Sequence, residues 1–177
     1  MSLAPAPTRV LWLLALATGA LSACHSTGGT TAATTSDAEF LSCSTETRAT
    51  PYRPGMQVPS RAGTYVVKLL RNTFMDADGK VLEEAPAKGV DVWTVEADIA
   101  ASMTPADGLS ISVNPYMPDH LHGTTPAAVT AGGSGTYTIS PLNLYMAGYW
   151  EITLTITDSS SGNNVVDTAM LPICVPG

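Results

Sequence analysis

Trp150-Glu151-Ile152-Thr153-Leu154-Thr155-Ile156-Thr157 alternates apolar and polar side chains without a break. Successive side chains of an extended chain point to opposite faces, so this stretch predicts a strand with one face on a core and the other in water. The same period of two runs through Val92-Trp93-Thr94-Val95-Glu96-Ala97-Asp98-Ile99, Leu109-Ser110-Ile111-Ser112-Val113-Asn114 and Thr136-Tyr137-Thr138-Ile139-Ser140. Thr64 to Leu70, a short run from Phe40 to Ser44 and the closing Val165 to Cys174 bring the number to about seven, and no segment has a convincing amphipathic helical period. Asp78-Gly79, Asp107-Gly108, Gly132-Gly133 and Ser161-Gly162-Asn163 supply the turns, since these residues tolerate positive φ. Short strands at regular spacing, with Trp93 and Trp150 in core-facing positions, predict an all-β domain of the immunoglobulin-like sandwich class.

Upstream of this domain the composition changes. Arg9 is followed by the apolar run Val10-Leu11-Trp12-Leu13-Leu14-Ala15-Leu16-Ala17 and then by small residues up to Leu21-Ser22-Ala23-Cys24. The run is too short to span a bilayer, and its charged start, apolar middle and small-residue end are those of a secretory signal. Leu-Ser-Ala-Cys resembles the lipobox of bacterial lipoproteins. That resemblance implies cleavage before Cys24, lipidation of its thiol, and a location in the cell envelope outside the cytoplasm, on the outer membrane and either periplasmic or surface-exposed. Residues 1–23 are thus read as signal, 24–39 as a flexible Ser/Thr/Gly/Ala-rich tether, and 40–177 as the folded domain. A coil of this length reaches roughly 20 Å, and the lipid on Cys24 makes the membrane the first expected partner.

Removing Arg9 with the signal leaves seven basic against fifteen acidic residues, a formal charge of −8. A negative domain without a basic cluster argues against nucleic acid as a partner. Of the three cysteines, Cys43 and Cys174 remain near the two ends of the domain. Outside the cytoplasm such a pair is expected to form a disulfide; the alternative, a pair of thiolate metal ligands, has no Cys-x-x-Cys spacing behind it.

Chemistry concentrates in Met117-Pro118-Asp119-His120-Leu121-His122-Gly123, which holds the two histidines of the domain. If this segment is extended, His120 and His122 point the same way and form a chelating pair. Imidazole suits Cu(II), Zn(II) and Ni(II), whereas a nearby thioether selects Cu(I). A thioether also needs no deprotonation, which makes Met and His a sensible donor set where thiols are consumed as disulfides. Asp119 is a candidate to accept a proton from an imidazole N–H and fix its tautomer. The alternative is a solvated loop whose methionines fill gaps against Tyr116, Tyr149 or Trp150. Asp76-Ala77-Asp78-Gly79-Lys80 lacks the remaining ligands of a calcium loop and reads as a turn; His25, on the tether, reads as solvated.

The same heptapeptide with Thr124, followed by Gly135-Thr136-Tyr137 and then Leu142-Asn143-Leu144-Tyr145-Met146-Ala147-Gly148-Tyr149-Trp150-Glu151, resembles the YtkA-like domain of bacterial envelope proteins. That family's pattern is Met-Pro-x-His-x-His-Gly, a Gly-x-Tyr strand, and Met-Pro-Gly-x-Trp-Glu leading into a strand, and the likeness runs from about Gly89 to Cys174. It implies Met117, His120, His122 and Met146 on facing loops at one end of an immunoglobulin-like sandwich, and a link to copper handling. The chain departs from the pattern at Leu121, where the family often has Gly, and at Ala147, where it often has Pro. Copper, as Cu(I) or Cu(II), is the expected cofactor, and a copper-donor or copper-acceptor protein of the envelope the expected partner. No Gly-x-Ser-x-Gly elbow or oriented nucleophile–base pair is present, so a non-enzymatic role is expected, with a metal-free interaction or structural module as the alternative.

Overall fold

A computed structural model describes residues 43–177 apart from Ala77 and Asn163. The expected signal, the Cys24 lipid site, the tether with His25, and Phe40 at the expected start of the domain lie outside the described residues. Among the described residues no helix is long and apolar enough to cross a membrane.

The domain is all-β. Eleven strands run in chain order: β1 Met56–Pro59, β2 Tyr65–Met75, β3 Val81–Leu82, β4 Gly89–Ile99, β5 Thr104–Pro105, β6 Ser110–Met117, β7 His122–Gly123, β8 Ala128–Gly133, β9 Thr136–Leu144, β10 Gly148–Asp158 and β11 Val165–Val175. One antiparallel sheet has the order β1-β2-β4-β9-β8, with β3 on β2 and β5 on β4, and the other has the order β11-β10-β6-β7. Lettering the seven longest strands A to G in chain order gives A-B-E-D facing G-F-C, the constant-type immunoglobulin arrangement. In antibody domains a disulfide links strands B and F. Here the corresponding β4 and β10 carry Trp93 and Trp150, both buried, and the disulfide sits elsewhere.

Alternation explains the central strands. Along β10, Trp150, Ile152, Leu154 and Ile156 are buried while Glu151, Thr153 and Thr155 are half-exposed, and the strand is paired on both sides, with β11 and β6. Trp93, Val95 and Ala97 of β4 and Tyr137 and Ile139 of β9 complete the opposite face of the core. Burying aliphatic and aromatic side chains of this size contributes on the order of 1.5–3 kcal/mol each.

The structure corrects three local readings. Cys43 and Ser44, expected in a strand, lie in a turn, held there by a Cys43–Cys174 disulfide with a Cα separation of 5.6 Å. Gly132-Gly133, read as a turn, belongs to β8, and the reversal falls on Ser134-Gly135. Gly135 has φ +70°, and a Cβ there would stand 2.9 Å from the Ala97 carbonyl oxygen, so the backbone can turn so tightly only with glycine. Finally, β2 continues five residues beyond Leu70. A bulge between Leu69 and Arg71 shifts its register, and the inward position after the bulge is taken by a polar residue, Asn72, which hid the strand from a hydrophobic pattern.

Two carboxylates lie inside. Asp167 is 4% exposed and is bonded by Ser60 and three backbone N–H groups. Asp91 is fully buried; its Oδ1 accepts from the Ala87 N–H at 3.3 Å, and Oδ2 has no protein partner.

Candidate functional site

β6 ends at Met117, and Pro118–His120 form a single turn of 3-10 helix rather than the extended segment expected. Pro118 at the first helical position fixes φ in the helical range, and Leu121 closes the turn in the left-handed region at φ 55°, ψ 33°. The chain then returns along β6 as β7, pairing His122 with Met117 and Gly123 with Tyr116. Gly123 is the point of closest approach: a Cβ there would lie 2.6 Å from the Pro115 carbonyl oxygen. The glycine of the motif therefore holds the hairpin shut.

This hairpin presents His120 and His122 on the surface with ring centroids 5.8 Å apart and planes inclined at 52°. A metal about 2.0–2.1 Å from a nitrogen of each ring sets two centroids roughly 5 to 6 Å apart, so the separation suits a shared ion. His122 Nδ1 lies 3.1 Å from the Gly123 carbonyl oxygen. A carbonyl only accepts, so Nδ1–H is the donor in this contact, and in the neutral ring Nε2 keeps its lone pair for a ligand.

The second stretch arrives at the same end because β6 and β10 are antiparallel neighbours, with Tyr116 opposite Glu151. Tyr145, Met146 and Ala147 link β9 to β10, and Trp150 Nε1–H donates to the Met146 carbonyl at 3.0 Å, anchoring the loop to a core residue. Met146 is 38% exposed, whereas Met117 is fully buried in the core. Three of the four proposed donors thus stand at the surface and the fourth faces inward. Among the described residues no three His, Cys, Asp or Glu side chains gather as a metal-holding group.

Asp119 has another partner. Arg48 Nη1 and Nη2 donate to Asp119 Oδ1 and Oδ2 at 2.7 and 2.6 Å, and the guanidinium also donates from Nη2 and Nε to Glu46 at 2.6 and 3.0 Å. It lies 4.3 Å from the centroid of the Tyr149 ring. Hydrogen bonds from Arg48 hold the Asp119 and Glu46 carboxyls below the usual range. Both Asp119 oxygens thus accept from Arg48. Nothing local in the sequence points to Arg48, since it stands 71 residues from its partner.

The remaining motifs serve the fold. Tyr137 of Gly-Thr-Tyr donates its hydroxyl to Ala106 O at 2.7 Å and accepts from Leu109 N–H at 3.1 Å, tying down the approach to β6. Asp76 Oδ1 accepts from the N–H groups of Asp78 and Lys80, the self-contained turn expected there.

Fold and tip together define an immunoglobulin-like β-sandwich carrying a His-x-His hairpin at one end. The family model described as YtkA-like matches residues 77–155, the family that the sequence resembles; the match covers both Met-containing motifs, begins before Gly89 and stops within β10, short of Cys174. No curated protein and no solved structure matches the chain.

Proposed function

We propose that this protein is a non-catalytic lipoprotein of the cell envelope, anchored outside the cytoplasm through a lipid on Cys24, that binds copper as a buffer or delivery module. His120 and His122 would donate nitrogen and Met146 an exposed thioether. Met117 would add a second sulfur only if the hairpin opens, because its side chain is buried. The observation that carries the reading is the imidazole pair, 5.8 Å apart with His122 held by the Gly123 carbonyl in the tautomer that leaves Nε2 free. Copper suits this donor set because imidazole binds Cu(II) and thioether favours Cu(I). A copper-donor or copper-acceptor protein of the envelope is the corresponding partner.

Titration of the full chain with Cu(I) and Cu(II) tests this. His120→Ala/His122→Ala is expected to weaken both ions, and Met146→Leu mainly Cu(I); Met117→Leu reports whether the buried sulfur takes part. Wild-type binding no tighter than about micromolar would sink the copper reading. Incorporation of labelled palmitate, abolished by Cys24→Ser, tests the anchor. The full burial of Met117 favours a second reading, a metal-free interaction module in which that residue only packs.

A further inference from the structure

Residues 43–50 form a strap with both feet on β11. Cys43 is bonded to Cys174, and the Thr50 N–H donates to the Pro172 carbonyl at 2.9 Å, two residues away on the same strand. Between the feet the strap crosses the outer side of the β11-β10-β6 sheet. Tyr149 of β10 is the register partner of Cys174, and Arg48 lies over its ring before reaching Asp119, in the turn that follows β6.

We infer that Arg48 is a positioning residue for the imidazole pair: by gripping Asp119 it fixes the 3-10 turn from which His120 projects, and so sets the distance between His120 and His122. This rests on the copper reading above for its use, not for its geometry. The hold is a planar fork on a carboxylate, made through two parallel hydrogen bonds, and such a fork specifies orientation as well as position. The stack on Tyr149 and the acceptor Glu46 fix the guanidinium plane, leaving little freedom to the residue that it grips. Both sides of the ion pair are exposed, so its contribution is to geometry more than to stability. Lysine at position 48 would keep the charge and lose the fork. On the other side of His120, Leu121 is in the left-handed region, a strained exit from the turn.

The test compares Arg48→Lys, Arg48→Gln, Asp119→Asn and Cys43→Ala/Cys174→Ala in the full chain. The imidazole resonances of His120 and His122 in the metal-free protein are read by NMR, and Cu(II) affinity by titration. All four variants are expected to move the resonances, with a loss of Cu(II) affinity of about tenfold for Arg48→Gln and nearly as much for Arg48→Lys. Arg48→Gln combined with Asp119→Asn is expected to do no more than either alone. If Arg48→Lys matches the wild type in both readouts, charge suffices and positioning is overturned; if Arg48→Gln leaves both unchanged, Arg48 has no role at the tip. Should the wild type bind no copper while the resonances still move, the copper reading fails and the positioning stands.

Discussion

Ser60, at the end of β1, donates its hydroxyl to Asp167 of β11 at 2.5 Å, a polar bond from one sheet to the other. The same carboxylate accepts from the N–H groups of Ala62, Thr64 and Thr168 at 2.9, 3.2 and 2.7 Å. Burial alone would raise the Asp167 pKa, but these donors, Ser60 first, outweigh it and hold it at about 2. The folded value lies below the unfolded one, so the stabilisation is complete above the ordinary carboxylate range and is lost as pH falls from about 4 to 2. Asp167→Asn is expected to lower stability by about 2–3 kcal/mol at pH 7 and to flatten that acid limb in urea titrations.

Asp91 has the opposite sign. Burial raises its pKa to about 6, against weaker opposing help from Asn72 and the Ala87 N–H. Stability is then greatest below about pH 4 and declines as pH rises towards 6, where an ionised carboxylate is left inside with Oδ2 unpaired. Asp91→Asn is expected to stabilise the domain by about 1–3 kcal/mol at pH 7.5 and to make almost no difference at pH 4. A variant less stable than wild type at the higher pH would contradict this account of its burial.

Leu121 holds a left-handed conformation with its side chain 81% exposed. A non-glycine residue there costs about 1–2 kcal/mol, and the side chain recovers little by burial. Leu121→Gly is therefore expected to raise stability by about 0.5–1 kcal/mol after the greater chain entropy of glycine is offset, seen as a small upward shift in melting temperature.

Gly123→Ala moves the other way. Its Cβ meets backbone at 2.6 Å, and a carbonyl cannot swing aside as the end of a side chain can. A loss of about 1–3 kcal/mol is expected, together with weakened β6–β7 hydrogen bonds and faster amide exchange at His122.

The large strands were legible because β4, β9 and β10 bury alternate residues, and a period of two in Trp150–Thr157 survives any context. The small ones were not. β3, β5 and β7 are two residues each, too short to carry a period, and β8 ends in Gly132-Gly133, whose composition reads as a turn. Asn72 and Asp91 occupy inward positions that a hydrophobic pattern assigns to apolar side chains. At the tip, the His-x-His spacing was visible but its 3-10 geometry depended on Pro118 and Leu121 acting together. Met117 was recognisable as a motif residue, whereas its inward direction follows from being the last residue of β6. The Arg48 grip joins distant segments through a disulfide, and no local pattern encodes it.

The Cys43–Cys174 bond also settles how load travels. Any pull on the chain upstream of Cys43 passes through sulfur directly into β11, which is zipped to β10 along its whole length. Residues 44–49 lie off that line of tension. Such a force would therefore enter the last strand at Cys174, beside Tyr149, at the same end of the sandwich as the histidine turn.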